Sequence, residues 1–269
     1  MAQFDFKDKA IIITGASSGI GRELAYQLAA QGAWLALAAR TVERLETVKT
    51  ECQERGGRAI AVPTDVSIPE QCEKMVQRSV GEFGRIDALV NNAGITMWAN
   101  FADVDELMFF EQIMRVNYFG SLYCTHYALP YLKQTKGLIV GISSLTGKTG
   151  VPTRSAYAAS KHAMAGFFDS LRIELAPAGV AVTMIYPGFV TSEVRQRAFG
   201  PDGKPLGESP VRENEVMPVE TCARLIAGAM ERRQREVVMT LRGKLGLWLK
   251  LIAPGLVDRI ASQAIKTGR

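Results

Sequence analysis

The chain has 269 residues, 47% of them hydrophobic, enough to build a substantial core as one large α/β domain or two small ones, and no linker, repeat or low-complexity stretch divides it. A net charge of +5 comes without aromatic-basic interleaving or a recognised nucleic-acid module, which argues against nucleic acid as a partner. Two histidines and four cysteines without a C-x-x-C spacing give no metal site to expect, and without a signal-peptide core at the amino terminus a reducing cytoplasm is the simplest compartment.

In chain order, strands are predicted near residues 10–14, 33–39, 58–62, 86–90, 137–142, 180–186 and 236–240, separated by helical patterns. This alternation implies the α/β class: a single domain with a doubly wound, parallel, seven-stranded sheet and helices on both faces. The near-continuous apolar runs Ala33 to Ala39 and Leu138 to Val140 fit strands buried on both sides. Ligands of such sheets bind beyond the carboxyl ends of the strands. The first of these ends carries Thr14, Gly15, Ser17, Ser18, Gly19, Ile20 and Gly21, ahead of the helical pattern Leu24, Ala25, Leu28, Ala29. Glycines permit a tight turn and close backbone approach, and the N–H groups of a helix start favour an anion. The turn is therefore a candidate phosphate-binding loop.

A second candidate lies in the helical pattern over 155–176, where Tyr157 and Lys161 stand four apart and share one face. An ammonium beside a phenol of pKa roughly 10 favours the phenolate, so Tyr157 is a candidate acid/base. Taken alone, such a pair is more simply an ordinary helix face with a snorkelling lysine, and the rest of the chain must decide.

Five further motifs bear on it: Asp65-Val66, Asn91 to Gly94, Asn117, Ser144 thirteen residues before Tyr157, and Pro187-Gly188 with Thr191. With the glycine turn and Tyr157/Lys161, in this order over roughly residues 7–240, they resemble the short-chain dehydrogenase/reductase family, single-domain oxidoreductases with a Rossmann fold that use nicotinamide cofactors. The resemblance implies that Tyr157 exchanges a proton with the substrate oxygen and that Ser144 hydrogen-bonds the same oxygen. It further implies that Lys161 holds the nicotinamide ribose and that Asn117 positions a water linking Lys161 to solvent. Cofactor contacts are implied for Thr14, Gly15, Ser17, Ser18, Gly19, Ile20, Gly21, Asp65, Val66, Asn92, Ala93, Gly94, Tyr157, Lys161, Pro187, Gly188, Val190 and Thr191, with Asn91 mainly structural. The second strand ends Ala38-Ala39-Arg40, without the carboxylate that would bond a ribose 2′-hydroxyl and repel a 2′-phosphate. Arg40, with Arg44 assisting, instead favours NADP(H).

Residues 189–217 are rich in turn formers and charge and resemble the family's mobile substrate lid, within a catalytic domain of residues 1–242. Leu145, Val151, Tyr186, Phe189, Ile95 and Trp98 would make the pocket apolar and point to a lipophilic carbonyl or alcohol, though the same positions suit a core equally well. A 3-oxoacyl thioester or 3-ketosphingoid substrate is the alternative. A non-enzymatic NADP-sensing scaffold would be expected to lose Tyr157, Lys161 or Ser144, and all three are present.

The extension 243–269 is apolar but interrupted by Lys250 and Pro254, and falls short of the about 20 apolar residues a membrane span needs. With Arg242, Lys244 and Arg259 it reads as a peripheral membrane contact, a cover over the substrate mouth, or packing at a subunit interface. The tracts Ser155 to His162 and Leu251 to Leu256 resemble the hydroxysteroid-dehydrogenase-like branch, whose membrane-associated reductases carry comparable tails. Two long helices, here roughly 104–134 and 155–176, commonly pair across a dimer axis in this family, so a homo-dimer or tetramer is expected.

Overall fold

The computed structural model describes residues 3–211 and 216–266. Among them seven strands, β1 Ala10–Thr14, β2 Trp34–Ala39, β3 Arg58–Pro63, β4 Ala88–Asn91, β5 Leu138–Ile142, β6 Ala181–Tyr186 and β7 Glu236–Val238, pair in parallel in the order β3-β2-β1-β4-β5-β6-β7. The helices are α1 Gly19–Ala29, α2 Val42–Glu54, α3 Pro69–Phe83, α4 Met108–Met114, α5 Gly120–Thr135, α6 Ser155–Leu175 and α7 Val219–Glu231, with α8 Leu241–Ile252 and α9 Pro254–Lys266 after the last strand. None of the described helices is long and apolar enough to cross a membrane.

Side-chain alternation sorts each strand between two cores. Ile11 and Ile13 of β1 join Leu24 and Leu28 of α1 and Ile226 of α7, whereas Ala10 and Ile12 join Met75 and Val76 of α3 and Leu132 of α5. Both faces are covered, so the strands read as unbroken apolar runs. The chain winds outward from β1 to β2 and β3, then returns to place β4 on the other side of β1. A crevice opens at that reversal of winding, beyond the carboxyl ends of β1 and β4.

The helix predicted over 104–134 differs in two ways. It begins at Met108, and it widens into a π turn at Arg115–Phe119 before α5 continues to Thr135. Asn117, inside that turn, donates from Nδ2 to the Ile95 carbonyl at 3.0 Å and accepts the Ile95 N–H on Oδ1 at 2.9 Å. These two bonds hold the segment after β4 against the widened turn, as such turns commonly do beside functional sites.

Of the expected lid, residues 212–215 lie outside the described residues, as do 267–269 of the extension and 1–2 of the expected catalytic domain. Short bridges order the described part of the lid: Val190 pairs with Met217 and Phe199 with Pro205 within it, and Phe199 pairs with Met97 of the scaffold. Two backbone bonds, Trp98 N–H to the Phe199 carbonyl at 2.8 Å and Phe199 N–H to the Thr96 carbonyl at 3.0 Å, join it to the residues after β4.

The glycine turn is close-packed as well as bent. Gly15 has φ +65°, and a Cβ on Gly21 would fall 2.5 Å from both the Gly15 carbonyl oxygen and Asn92 Nδ2. A backbone oxygen cannot swing aside, so Gly21→Ala should lower the unfolding free energy by about 1–3 kcal/mol, read as a lower urea midpoint at unchanged slope.

Candidate active site

The turn is held by a clamp between β1 and β4. Thr14 Oγ1 donates to the Val90 carbonyl at 3.2 Å and accepts the N–H groups of Asn92 and Ala93, each at 3.0 Å. Asn92 Nδ2 donates back to the Thr14 and Gly15 carbonyls at 2.8 and 3.3 Å. Ser18 precedes α1 in an extended conformation and makes no side-chain cap, so its hydroxyl stands at the helix start and accepts a bond from Arg197 Nη2 at 3.1 Å. Backbone N–H groups at such a start attract an anion.

From this turn a cleft of about 610 Å³ runs across the sheet edge. Its walls include Gly15, Ser17, Ser18, Gly19, Ile20, Arg40, Asp65, Val66, Asn92, Ala93, Gly94, Ser144, Tyr157, Lys161, Pro187, Gly188 and Val190. Four expected site residues do not line it. Thr14 and Gly21 shape the turn from behind, the Thr191 N–H donates to the Met217 carbonyl at 3.0 Å, and Asn117 is fully buried. The close-packed glycines and uncapped helix start fit a dinucleotide pyrophosphate, with Arg40 at the end of β2 and Asp65 beyond β3 on the same wall. Arg44 turns elsewhere and pairs with Glu193 at 2.9 Å. Among the described residues, no group of three or more His, Cys, Asp and Glu side chains is placed to hold a metal ion.

At the other end α6 presents Tyr157 and Lys161 into the cleft, as their spacing predicts. Burial pushes the Tyr157 phenol above its usual 10.0, against the opposing pulls of the Arg154 charge and a side-chain hydrogen bond with Ser144. Burial also pushes the Lys161 ammonium down to about 8. Its Nζ donates to the Ile142 carbonyl at 2.8 Å and lies 5.7 Å from the Tyr157 ring centre. Desolvation sets the direction of the Tyr157 shift, and the pulls against it come from Arg154 and Ser144, not from Lys161 as the spacing leads one to expect. Ser144 caps the short turn after β5, accepting the Thr146 N–H on Oγ at 3.3 Å, which holds its hydroxyl beside Tyr157. Ser143, its neighbour, is buried and donates to the Lys161 carbonyl at 3.3 Å, whereas Ser144 is the serine whose hydroxyl hydrogen-bonds Tyr157.

Asn117 spends its donors within the protein, on the Ile95 carbonyl and on Ser160 Oγ at 2.9 Å. It lies close to Lys161 nonetheless: a Cβ on Gly94 would fall 3.3 Å from Asn117 Oδ1 and 3.6 Å from Lys161 Nζ.

Two expected pocket residues are placed differently. Tyr186 is fully buried in the core on the α6 side, its ring beneath Lys148 Nζ at 4.4 Å, because its position in β6 points it inward. Trp98 stands behind Phe189, with ring centres 6.3 Å apart, outside the cleft wall. Ile95, Leu145, Val151 and Phe189 do line the cleft. Sequence reasoning did not single out Arg154, which also lines it, nor Ser192, Arg195, Arg197, Ala261, Ala264 and Ile265, though these six fall in the expected lid and in the tail read as a cover over the mouth. Only Arg154 carried a local signal, standing three residues before Tyr157 and so on its helical face.

Comparison with known proteins agrees with this geometry. A family model described as short chain dehydrogenase matches residues 9–201. The chain is 39% identical over 253 residues to 11-beta-hydroxysteroid dehydrogenase-like 4A of Arabidopsis thaliana, covering 93% of this chain and 82% of that one. It is 34% identical to a dehydrogenase/reductase SDR family protein 7-like of Dictyostelium discoideum, covering 97% and 84%. Among solved structures, an alcohol dehydrogenase from the archaeon Thermococcus sibiricus complexed with 5-hydroxy-NADP superposes with TM-score 0.73 at 28% identity, covering 85% of this chain and 94% of that one.

The Asn117 bonds are testable apart from any activity. Asn117→Ala removes the partners of the part-buried Ile95 N–H and carbonyl and should cost about 1–3 kcal/mol of stability in urea unfolding.

Proposed function

This chain belongs to the short chain dehydrogenase family, in its hydroxysteroid-dehydrogenase-like branch, and from that premise we propose that it is an NADP(H)-dependent oxidoreductase interconverting a lipophilic ketone and its secondary alcohol. The observation that carries the reading is the meeting of Ser144, Tyr157 and Lys161 with the glycine turn in one cleft. The bound nicotinamide would supply or accept the hydride. As charge grows on the carbonyl oxygen, Tyr157 donates its phenolic proton there and Ser144 Oγ donates a hydrogen bond to the same oxygen. Lys161 holds the nicotinamide ribose, and Asn117 keeps the Ile95 segment in register with α6. Residues 1–242 form the catalytic unit, with 189–217 as its lid, and the extension from 243 adds its α9 residues to the cleft mouth.

Arg40 supports NADP(H): it follows β2 on the cleft wall, where a carboxylate would favour the unphosphorylated ribose, and Arg197 adds a second cation near Ser18. The phosphorylated dinucleotide analogue of the Thermococcus sibiricus complex points the same way. Ile95, Leu145, Val151 and Phe189 support an apolar substrate. The outer groove of α4, α5 and α6, lined by Phe110, Met114, Phe119, Tyr123 and Ala156, supports a homo-dimer.

Helix α8, which leads into the extension, has an exposed apolar stripe. Leu241, Leu245, Trp248 and Ile252 of α8 recur at helical spacing with 72, 61, 70 and 83% exposure, flanked by Arg242 and Lys244. We propose that this stripe lies on a lipid surface, beside the mouth through which a lipophilic substrate would enter.

Titration of the purified protein should give tighter binding of NADPH than of NADH, with Arg40→Ala weakening NADPH alone by about tenfold or more. In a screen of lipophilic ketones, Tyr157→Phe should abolish NADPH oxidation while retaining NADPH binding; equal binding of both dinucleotides by wild type and Arg40→Ala would refute the cofactor choice. For the stripe, wild-type protein should sediment with phosphatidylcholine/phosphatidylserine vesicles and a Trp248→Ser, Ile252→Ser double variant should not. Equal sedimentation of the two would remove the membrane reading.

A further inference from the structure

Arg154 is 6% exposed and lies at the start of α6 with its guanidinium against the Tyr157 ring, Cζ 4.6 Å from the ring centre. Its other side meets Trp98, with Cζ 5.3 Å from that ring centre. Nη2 donates to Thr96 Oγ1 at 2.9 Å, whereas Nε and Nη1 are sealed from solvent and make no hydrogen bond. No carboxylate among the described residues pairs with it; Asp65, the one acid on the described cleft wall, belongs to the β3 edge. A buried cation with two idle donors is costly, and in a native structure such a group calls for a functional account.

We propose that Arg154 is a positioning residue for proton transfer at Tyr157: clamped between two rings and anchored on Thr96, its guanidinium is a permanent cation that supports the phenolate. The charged groups around the phenol sort accordingly. From α6 come Arg154 and Lys161, and from the turn after β5 comes the neutral Ser144 hydroxyl; from the lid, Arg195 acts on Arg154. Lys161 spends Nζ on the Ile142 carbonyl and, through burial, loses its proton above about pH 8. Burial lowers the Arg154 guanidinium as well, but from a much higher ordinary value of 12.5, so it keeps its charge beyond that point. Arg154 also sits closer to the ring centre, at 4.6 Å against 5.7 Å for Lys161 Nζ. A cation at this range favours the charged form of the phenol by roughly one to three pH units.

The inference rests on Tyr157 as the proton-transfer residue, so its test reads the phenol directly and not turnover. Protein labelled with carbon isotope at tyrosine Cζ is titrated by NMR, with and without NADP+, and the Tyr157 signal is identified by its loss in Tyr157→Phe. At the highest pH where every variant keeps native circular dichroism, Arg154→Met should show a phenolate-to-phenol ratio about tenfold or more below wild type, and Arg154→Lys a value between them. Coincidence of the three would overturn the proposal. Should Arg154→Met fail to fold, Thr96→Val, which removes only the anchor, must lower the ratio by a smaller factor, and an unchanged ratio there overturns the proposal equally. A ketone screen in which Tyr157→Phe remains active would refute the functional reading while leaving this titration intact.

Discussion

Thr14 and Asn92 close the gap between the carboxyl ends of β1 and β4 with five hydrogen bonds spanning 2.8 to 3.3 Å, and the cleft is arranged around that closure. One hydroxyl serves three backbone partners and one amide returns two bonds, so the glycine turn and the segment after β4 cannot move independently. From β4 the constraint passes along Ile95 to Asn117, from Asn117 Nδ2 to Ser160, and so to α6, which carries Tyr157 and Lys161. The glycine-turn end and the Tyr157 end of the cleft are thereby held in one register by short polar contacts, not by packing alone.

The reactive end is governed by a contest between desolvation and charge. Burial works against both ionised forms, raising the Tyr157 phenol and lowering the Lys161 ammonium to about 8. From ordinary values of 10.0 and 10.5 the two shifts carry the groups past each other and apart, so the phenol holds its proton more tightly than the ammonium does. Within this balance a guanidinium between two rings matters because its charge does not titrate away as the lysine's does.

The cleft's outer boundary is built from parts distant in sequence. Phe199 reaches back to Thr96 and Met97, Val190 to Met217, and α9 lays Ala261, Ala264 and Ile265 along the rim. The tail whose α9 lines the cleft also carries the exposed apolar stripe of α8, so in the proposed reading substrate access and surface attachment share one structural unit.

Much of this was legible in the chain. Strand and helix periods specify which residues are neighbours within an element, so the seven strands, the glycine turn before α1 and the shared face of Tyr157 and Lys161 follow from local spacing. The doubly wound parallel sheet follows from the alternation of elements and the family resemblance together, while the strand order around β1 is read only from the folded sheet. Contacts between elements were not legible, because they depend on the path of loops and on which of several similar side chains finds a partner. The π turn at Asn117, the inward turn of Tyr186, the approach of Arg197 to Ser18 and the 3.6 Å separation of the Cys72 and Cys124 sulfurs arise only when the helices are laid on the sheet. Arg154 marks the boundary: its place three residues before Tyr157 is written in the sequence, but its want of a counter-ion was decided by Trp98 and Thr96 packing around it and sealing it from water.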